Sequence, residues 1–218
     1  MTTQPRLQLA LDHTRLDAAL TTVELLHPYV DIIEAGTILC ISAGIQAVSQ
    51  LRERCPHHVL VADLKVADAG ATLAEQAFSH GAHWMTVICA APLPPMASAR
   101  EVAERHRGEI QIELFGRWTL EDAKAWRALG IKQAIYHRGR DAQASGQTWG
   151  QQDLDMMKAL SDLGIELSIT GGITPADLPL FRDIAVTAFI AGRALADASD
   201  PVNSARQFRT AIDAIWRP

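Results

Sequence analysis

Cysteine is scarce in this chain: Cys40, Cys55 and Cys89 are the only three in 218 residues. An odd number leaves no fully paired framework within one chain. None of the three lies in a C-x-x-C or other metal-ligand spacing, so a reducing compartment is expected. Positive charge is not in excess either. Lys and Arg number 20 against 25 Asp and Glu, a formal net charge of -5, which removes the electrostatic basis for a nucleic-acid or other polyanionic partner. Long hydrophobic runs are missing, since no uninterrupted apolar segment approaches the ~20 residues of a membrane-spanning helix. From Met1 to Arg6 there is no succession of basic region, apolar stretch and cleavage site, so no export signal is read and the expected location is cytoplasmic. Linker-like and low-complexity stretches are also lacking, which leaves one domain over 1–218.

Against these absences, 48% of the residues are hydrophobic and 21% charged, enough apolar side chain to close a core and enough charge to keep its outside soluble. Short apolar runs rich in β-branched residues fall at 7–11, 32–35, 59–62, 84–88, 110–114, 133–136, 167–169 and 186–190. Segments of helical periodicity separate them, at 16–26, 45–54, 72–80, 97–106, 120–129, 154–163, 176–181 and 202–215. Eight β-α units in this length indicate a (β/α)8 TIM barrel, with strands brief and mostly apolar as if packed on both faces. Some helix boundaries carry their own signals. Thr119 with Asp122 three residues on forms an N-cap and Gly130 a stop, while Pro175 after Thr174 suits a helix start.

In such a barrel the C-terminal strand ends converge on one mouth, where catalytic groups gather. Those ends carry Asp12, Glu34, Asp63 with Lys65, Cys89, Glu113, His137, Thr170-Gly171-Gly172 and Gly192-Arg193. Polar groups at seven of the eight ends exceed what a structural rim needs. Phasing of this kind establishes a site and leaves the reaction open, because a binding barrel would show it too.

The run Asp63-Leu64-Lys65-Val66-Ala67-Asp68 carries the most chemistry. In extended backbone Asp63 and Lys65 share a face, so a carboxylate and an ammonium enter one pocket and keep each other ionised. An ammonium there can stabilise negative charge appearing on oxygen as a carbon–carbon bond breaks; the plainer alternative is an exposed salt bridge. Asp68, on the following turn, could orient Lys65 or reach the site of another subunit. Glu34 ends the neighbouring strand and with Asp63 offers two hard oxygen donors suited to Mg²⁺. Zinc is disfavoured, as no His/Cys cluster with ligand spacing is read. Thr170-Gly171-Gly172 and Gly192-Arg193 follow strands seven and eight, where barrels often cradle a phosphate, and Arg193 can add a bidentate contact. His137 supplies a group that exchanges protons near neutral pH and Arg140 an anion holder three residues on. The other histidines, including the pair His57-His58, are read as structural, and Trp84, Trp118, Trp126, Trp149 and Trp216 as packing.

With these motifs in place, the chain resembles the 3-keto-L-gulonate 6-phosphate decarboxylases of the orotidine 5′-monophosphate decarboxylase suprafamily. The likeness rests on Leu9-Ala10-Leu11-Asp12, the stretch from Asp31 to Thr37, the D-x-K-x-x-D run, Gln111-Ile112-Glu113-Leu114, Tyr136-His137-Arg138, Arg140 to Ala144, Thr170-Gly171-Gly172 and Phe189 to Arg193. It implies loss of CO₂ from 3-keto-L-gulonate 6-phosphate to give L-xylulose 5-phosphate through a Mg²⁺-stabilised enediolate. Glu34 and Asp63 then match the metal ligands and Lys65 the group stabilising the enediolate oxygen. Asp68 would position Lys65 across the interface of a homodimer. His137 and Arg140 would deliver a proton through water, with Glu113 holding that network. Asp12 would contact the substrate, and Gly172, Gly192 and Arg193 its phosphate. The nearest rival is 3-hexulose-6-phosphate synthase, which shares the D-x-K-x-x-D run; the His137 to Asp141 segment, Arg140 above all, favours the decarboxylase. Orotidine monophosphate decarboxylase fits less well, because Val61-Ala62 precede Asp63 where it carries a further lysine. A non-catalytic sugar-phosphate sensor is the reading from another class.

Overall fold

Alternating residues along each strand go to two different environments, and this sorting closes the sheet. The computed structural model describes residues 4–217. Its strands are β1 (Arg6–Leu11), β2 (Ile32–Ala35), β3 (Val59–Val66), β4 (Trp84–Ile88), β5 (Glu109–Leu114), β6 (Gln133–His137), β7 (Glu166–Thr170) and β8 (Val186–Ala191). They pair in parallel, in sequence order, and β1 closes on β8 to complete the barrel. One set of side chains, including Leu7, Leu9, Ile33, Leu60, Met85, Ile112, Leu167 and Phe189, joins the large core between sheet and helices.

The other set departs from the expectation of strands apolar on both faces. Gln8, Glu34, Asp63, Thr86, Gln111, Glu113, Gln133 and Ser168 are all buried, interleaved with two small apolar clusters, Ile32–Val61–Trp84–Ala188 and Ala10–Ile135–Ile190. Buried polar groups persist only when hydrogen-bonded. Here the amide of Gln111 donates to Gln133 at 2.8 Å, and that of Gln133 to Glu109 at 2.5 Å.

The helices are α1 (Leu16–Leu26), α2 (Thr37–Ala43), α3 (Gln46–Arg54), α4 (Gly70–Ser79), α5 (Leu93–Arg105), α6 (Leu120–Ala128), α7 (Arg140–Ala144), α8 (Gln151–Asp162), α9 (Arg193–Ala196) and α10 (Pro201–Trp216). The Thr119/Asp122 capping box and the left-handed Gly130 stand as expected. Helix 176–181 does not form. Only a single 3₁₀ turn, Leu178–Phe181, is present, with Pro179 inside it removing a backbone donor. The short α2, α7 and α9 were not anticipated.

The tryptophans pack as expected. A run of ring contacts joins Trp118, Tyr136, Trp149, Phe181, Phe189 and Trp216, with successive centroids 5.4–6.2 Å apart. Tyr136 donates from its hydroxyl to Asp153 at 3.0 Å, and burial together with the Asp153 carboxylate pushes its phenol well above the usual range. A group whose folded pKa is raised stabilises below its unfolded value and loses that contribution as pH climbs toward the folded one. Urea midpoints of wild type and Tyr136→Phe should therefore differ at neutral pH and converge above about pH 10.

Candidate active site

The bulge in β3 makes the site. Pairing with β4 slips between Ala62 and Val66, and Lys65 adopts φ +45°, a left-handed conformation costing a non-glycine residue about 1–2 kcal/mol. Its N–H leaves the ladder and donates to Thr86 Oγ1 at 2.8 Å. Asp63 and Lys65 do meet, as simple alternation suggested, but through this distortion. Lys65 Nζ lies 2.5 Å from Asp63 Oδ2, 3.2 Å from Glu113 Oε1 and 2.9 Å from Thr37 Oγ1. Burial alone would lower the ammonium's pKa, and the Asp63 and Glu113 carboxylates outweigh it, holding Lys65 above its usual value.

Asp63 is pushed up by burial and pulled further down by Lys65, Thr37 and Thr86, so it stays ionised. Thr37 and Thr86 donate to its two oxygens at 2.6 and 2.7 Å. Glu34 has the opposite balance. It is buried beside the Asp63 charge, both of which raise its carboxyl well above the usual range. Among the described residues Gln8 donates to it at 2.5 Å, and no cation forms an ion pair with it. The chemistry of this donor set fits a divalent cation: two hard carboxylates from adjacent strands, one of them feeling the Lys65 charge only at a distance.

His137 is also joined to Lys65, through Glu113. His137 Nδ1 lies 2.5 Å from Glu113 Oε1, the oxygen that faces Lys65, and its ring packs on Phe115 at 5.4 Å. Arg140 pairs with Asp12 across the mouth at 3.1 Å. Arg193 donates to Gln143 Oε1 at 3.2 Å. Every predicted site residue except Asp68 lines one cavity of about 270 Å³ at the C-terminal mouth. Asp68 is exposed just beyond β3 and lies off that cavity. The side chains of Asp141 and Ala142, within the stretch that carried the resemblance, lie outside the described residues.

Thr37, Thr86, Gln8 and Gln143 were missed as site residues. Thr37 and Gln143 fall inside stretches that carried the resemblance, and Gln8 and Thr86 break the apolar runs of their strands. Their roles depend on contacts 21 to 50 residues away in sequence, for which the chain gives no local signal.

A TIM barrel with a charged, lysine-centred cavity between strands β2, β3, β5 and β6, and with glycines and Arg193 after β7 and β8, is built as an enzyme for a small molecule. The chain belongs to the Orotidine 5'-phosphate decarboxylase / HUMPS family, which it matches over residues 5–208. It is 65% identical over 213 residues to 3-keto-L-gulonate-6-phosphate decarboxylase SgbH of Escherichia coli (strain K12), covering 98% of this chain and 97% of that protein. The crystal structure of KGPDC from Streptococcus mutans in complex with D-R5P superposes with a TM-score of 0.96 at 44% identity, covering 98% of this chain and all of that one. A crystal structure of 3-hexulose-6-phosphate synthase is more distant, with 32% identity, a TM-score of 0.85, and coverage of 94% and 99%. The resemblance read from the motifs, and the expectation of a carboxy-lyase, are borne out by these relatives.

Proposed function

We propose that the protein catalyses the Mg²⁺-dependent decarboxylation of 3-keto-L-gulonate 6-phosphate to L-xylulose 5-phosphate and CO₂ through an enediolate. The observation that carries this reading is the Lys65 ammonium, fixed between Asp63 and Glu113 at the floor of a cavity that takes a small anion. In a β-keto acid the bond between carboxylate and α-carbon breaks, CO₂ leaves, and the electron pair moves onto the ketone oxygen. Lys65 stabilises that oxygen's new charge. The α-carbon then takes one proton, delivered from water on the His137 and Arg140 side of the cavity, while Glu113 orients the imidazole. Glu34 and Asp63 would hold Mg²⁺, which supplies positive charge against the oxyanion when bound. Asp12 engages substrate hydroxyls from the opposite rim.

Gly171, Gly172, Gly192 and Arg193 hold the phosphate in this reading, supported by the D-R5P bound to the Streptococcus mutans relative. Thr170 anchors the turn by donating to Ile190 O at 3.2 Å. Gly171 has φ +119°, and a Cβ there would lie 2.3 Å from the Arg138 carbonyl oxygen. Gly171→Ala must shift one of the two backbones, at a strain of about 1–3 kcal/mol. The expected result is a KM for the phosphorylated substrate raised about tenfold or more, with kcat changed less, read by steady-state kinetics.

The working unit in this reading is a homodimer. Asp68 is exposed and off its own cavity, and the segments that follow β2 and β4 carry exposed apolar side chains, Ile41 at 79% and Leu93 at 42%. A second copy covering them would bring Asp68 to the partner's Lys65. Mixing inactive Lys65→Ala with inactive Asp68→Ala subunits should regain about a quarter of wild-type activity, since half the dimers are then hybrids with one intact site. No recovery on mixing would place Asp68 outside the partner's site. The three free cysteines, and the finding that no helix among the described residues is long and apolar enough to cross a membrane, support a cytoplasmic setting.

The rival is tested by following the reaction in D₂O by NMR. One deuterium in L-xylulose 5-phosphate is expected per substrate consumed. Unchanged substrate, with formaldehyde consumed when D-ribulose 5-phosphate is supplied, would assign the synthase. Arg140→Val should shift the ratio of the two activities toward the synthase.

A further inference from the structure

At the N-terminal face, away from the cavity, three side chains that the sequence left as structural come together. Cys55 and His58 lie in the loop between α3 and β3, and His27 follows α1. One ligand atom from each lies within 4.8 Å of the others, the one such group of His, Cys, Asp or Glu among the described residues. The expectation that no His/Cys cluster exists is thereby corrected: C-x-x-H is a ligand spacing, and the barrel brings in the third member from 28 residues upstream.

We propose that His27, Cys55 and His58 form a zinc site that ties α1 to the α3–β3 loop. The tautomer of His58 argues for it. Its Nε2 sits 2.9 Å from the His27 carbonyl oxygen, which can only accept, so Nε2 carries the hydrogen and Nδ1 the free lone pair. That Nδ1 is buried and has no hydrogen-bond partner among the described residues. A lone pair shut away from water without a donor costs stability unless something fills the position. A metal-bound histidine has this arrangement, one ring nitrogen on the ion and the other donating to a backbone carbonyl that fixes its orientation.

Cys55 is 2% exposed, so its sulfur is withdrawn from solvent. The edge-to-face contact of the His27 and His58 rings, with centroids 5.7 Å apart, keeps both imidazoles together. The loop itself is pinned. Arg52 Nη1 donates to the carbonyls of Cys55, Pro56 and His58 at 3.1–3.2 Å, and its Nε to that of Gly81 at 3.0 Å. One thiolate and two imidazoles suit zinc; bonds of about 2.0–2.3 Å would draw the three donors closer together, with water in the fourth place. On binding, the Cys55 thiol releases its proton to solvent and the sulfur lone pair goes to the ion. Sites on this face of a barrel serve stability rather than catalysis.

The test is a cobalt titration of chelator-treated full-length protein. Cobalt on a thiolate gives a sulfur-to-metal charge-transfer band, which the oxygen donors Glu34 and Asp63 cannot produce. The expected result is a band saturating at one cobalt per chain and displaced by Zn²⁺. It should persist in Asp63→Asn, disappear in Cys55→Ser, and require more than about tenfold higher cobalt in His27→Gln and His58→Gln. Zinc at a large excess over its Kd should raise the Tm of wild type by about 5 °C and leave Cys55→Ser unmoved. Circular dichroism establishes that each variant is folded; should Cys55→Ser fail to fold, the two histidine variants decide. No band in wild type, or one undiminished in the histidine variants or in a folded Cys55→Ser, overturns the proposal.

Discussion

Lys65→Ala should lower kcat for CO₂ release by about 10³-fold, the upper range for removing one oxyanion-stabilising group. The side chain has two jobs that the substitution removes together. In the proposed reaction it faces the oxygen that gains charge, and in the structure it is the cation of the Asp63 and Glu113 carboxylates, whose side chains are 7% and 3% exposed. Leaving two buried carboxylates unpaired costs on the order of 3–5 kcal/mol, a large share of the ~5–15 kcal/mol that holds a domain folded. The kinetic comparison therefore needs a folded reference. Lys65→Arg keeps the charge and most of the stability, but a planar fork cannot replace a compact ammonium held by three close acceptors. A folded Lys65→Arg with kcat down by about 10²-fold separates the catalytic role from the structural one. Wild-type turnover in either variant would remove Lys65 from the chemistry.

Glu34→Gln should weaken the dependence on Mg²⁺ and the activity together. Glutamine has nearly the same shape and also replaces a carboxyl buried beside the Asp63 charge, so the fold should survive, with a Tm equal to or above wild type in the absence of metal. One hard anionic donor is gone. The Mg²⁺ concentration for half activity should rise more than about tenfold, with kcat lower by about 10²-fold even at saturation. Asp63→Asn should do the same and destabilise as well, because it also breaks the pairing with Lys65. Full activity of Glu34→Gln at low Mg²⁺ would remove the ligand assignment.

The barrel was legible because each strand is a short apolar run followed by a longer helical period, a signal that survives without tertiary information. The polar inner face was visible in part. Gln8, Thr86 and Gln111 each break an apolar run and Gln133 opens one, yet a run reads as apolar on both faces when only its average is taken. The short helices α2, α7 and α9 escaped because four to seven residues give too little period to detect. The 176–181 segment was overread for the opposite reason, an apolar pattern that Pro179 cuts short.

At the site, the residues at strand ends could be named because barrel topology fixes where those ends go. Their partners could not. The left-handed Lys65, the Thr37 and Thr86 hydroxyls on Asp63, and the shared Glu113 oxygen are products of the β3 bulge and of neighbours brought in by closure. The same limit hid the His27–Cys55–His58 group, whose members are adjacent only after α1 and α3 have packed side by side.

The most direct measurement is CO₂ release from 3-keto-L-gulonate 6-phosphate by the purified protein, with Mg²⁺, with EDTA, and with Mg²⁺ restored. One CO₂ per L-xylulose 5-phosphate formed, abolished by EDTA and recovered with Mg²⁺, is the predicted result. Absence of CO₂ release in the presence of Mg²⁺, or release indifferent to EDTA, would contradict the account.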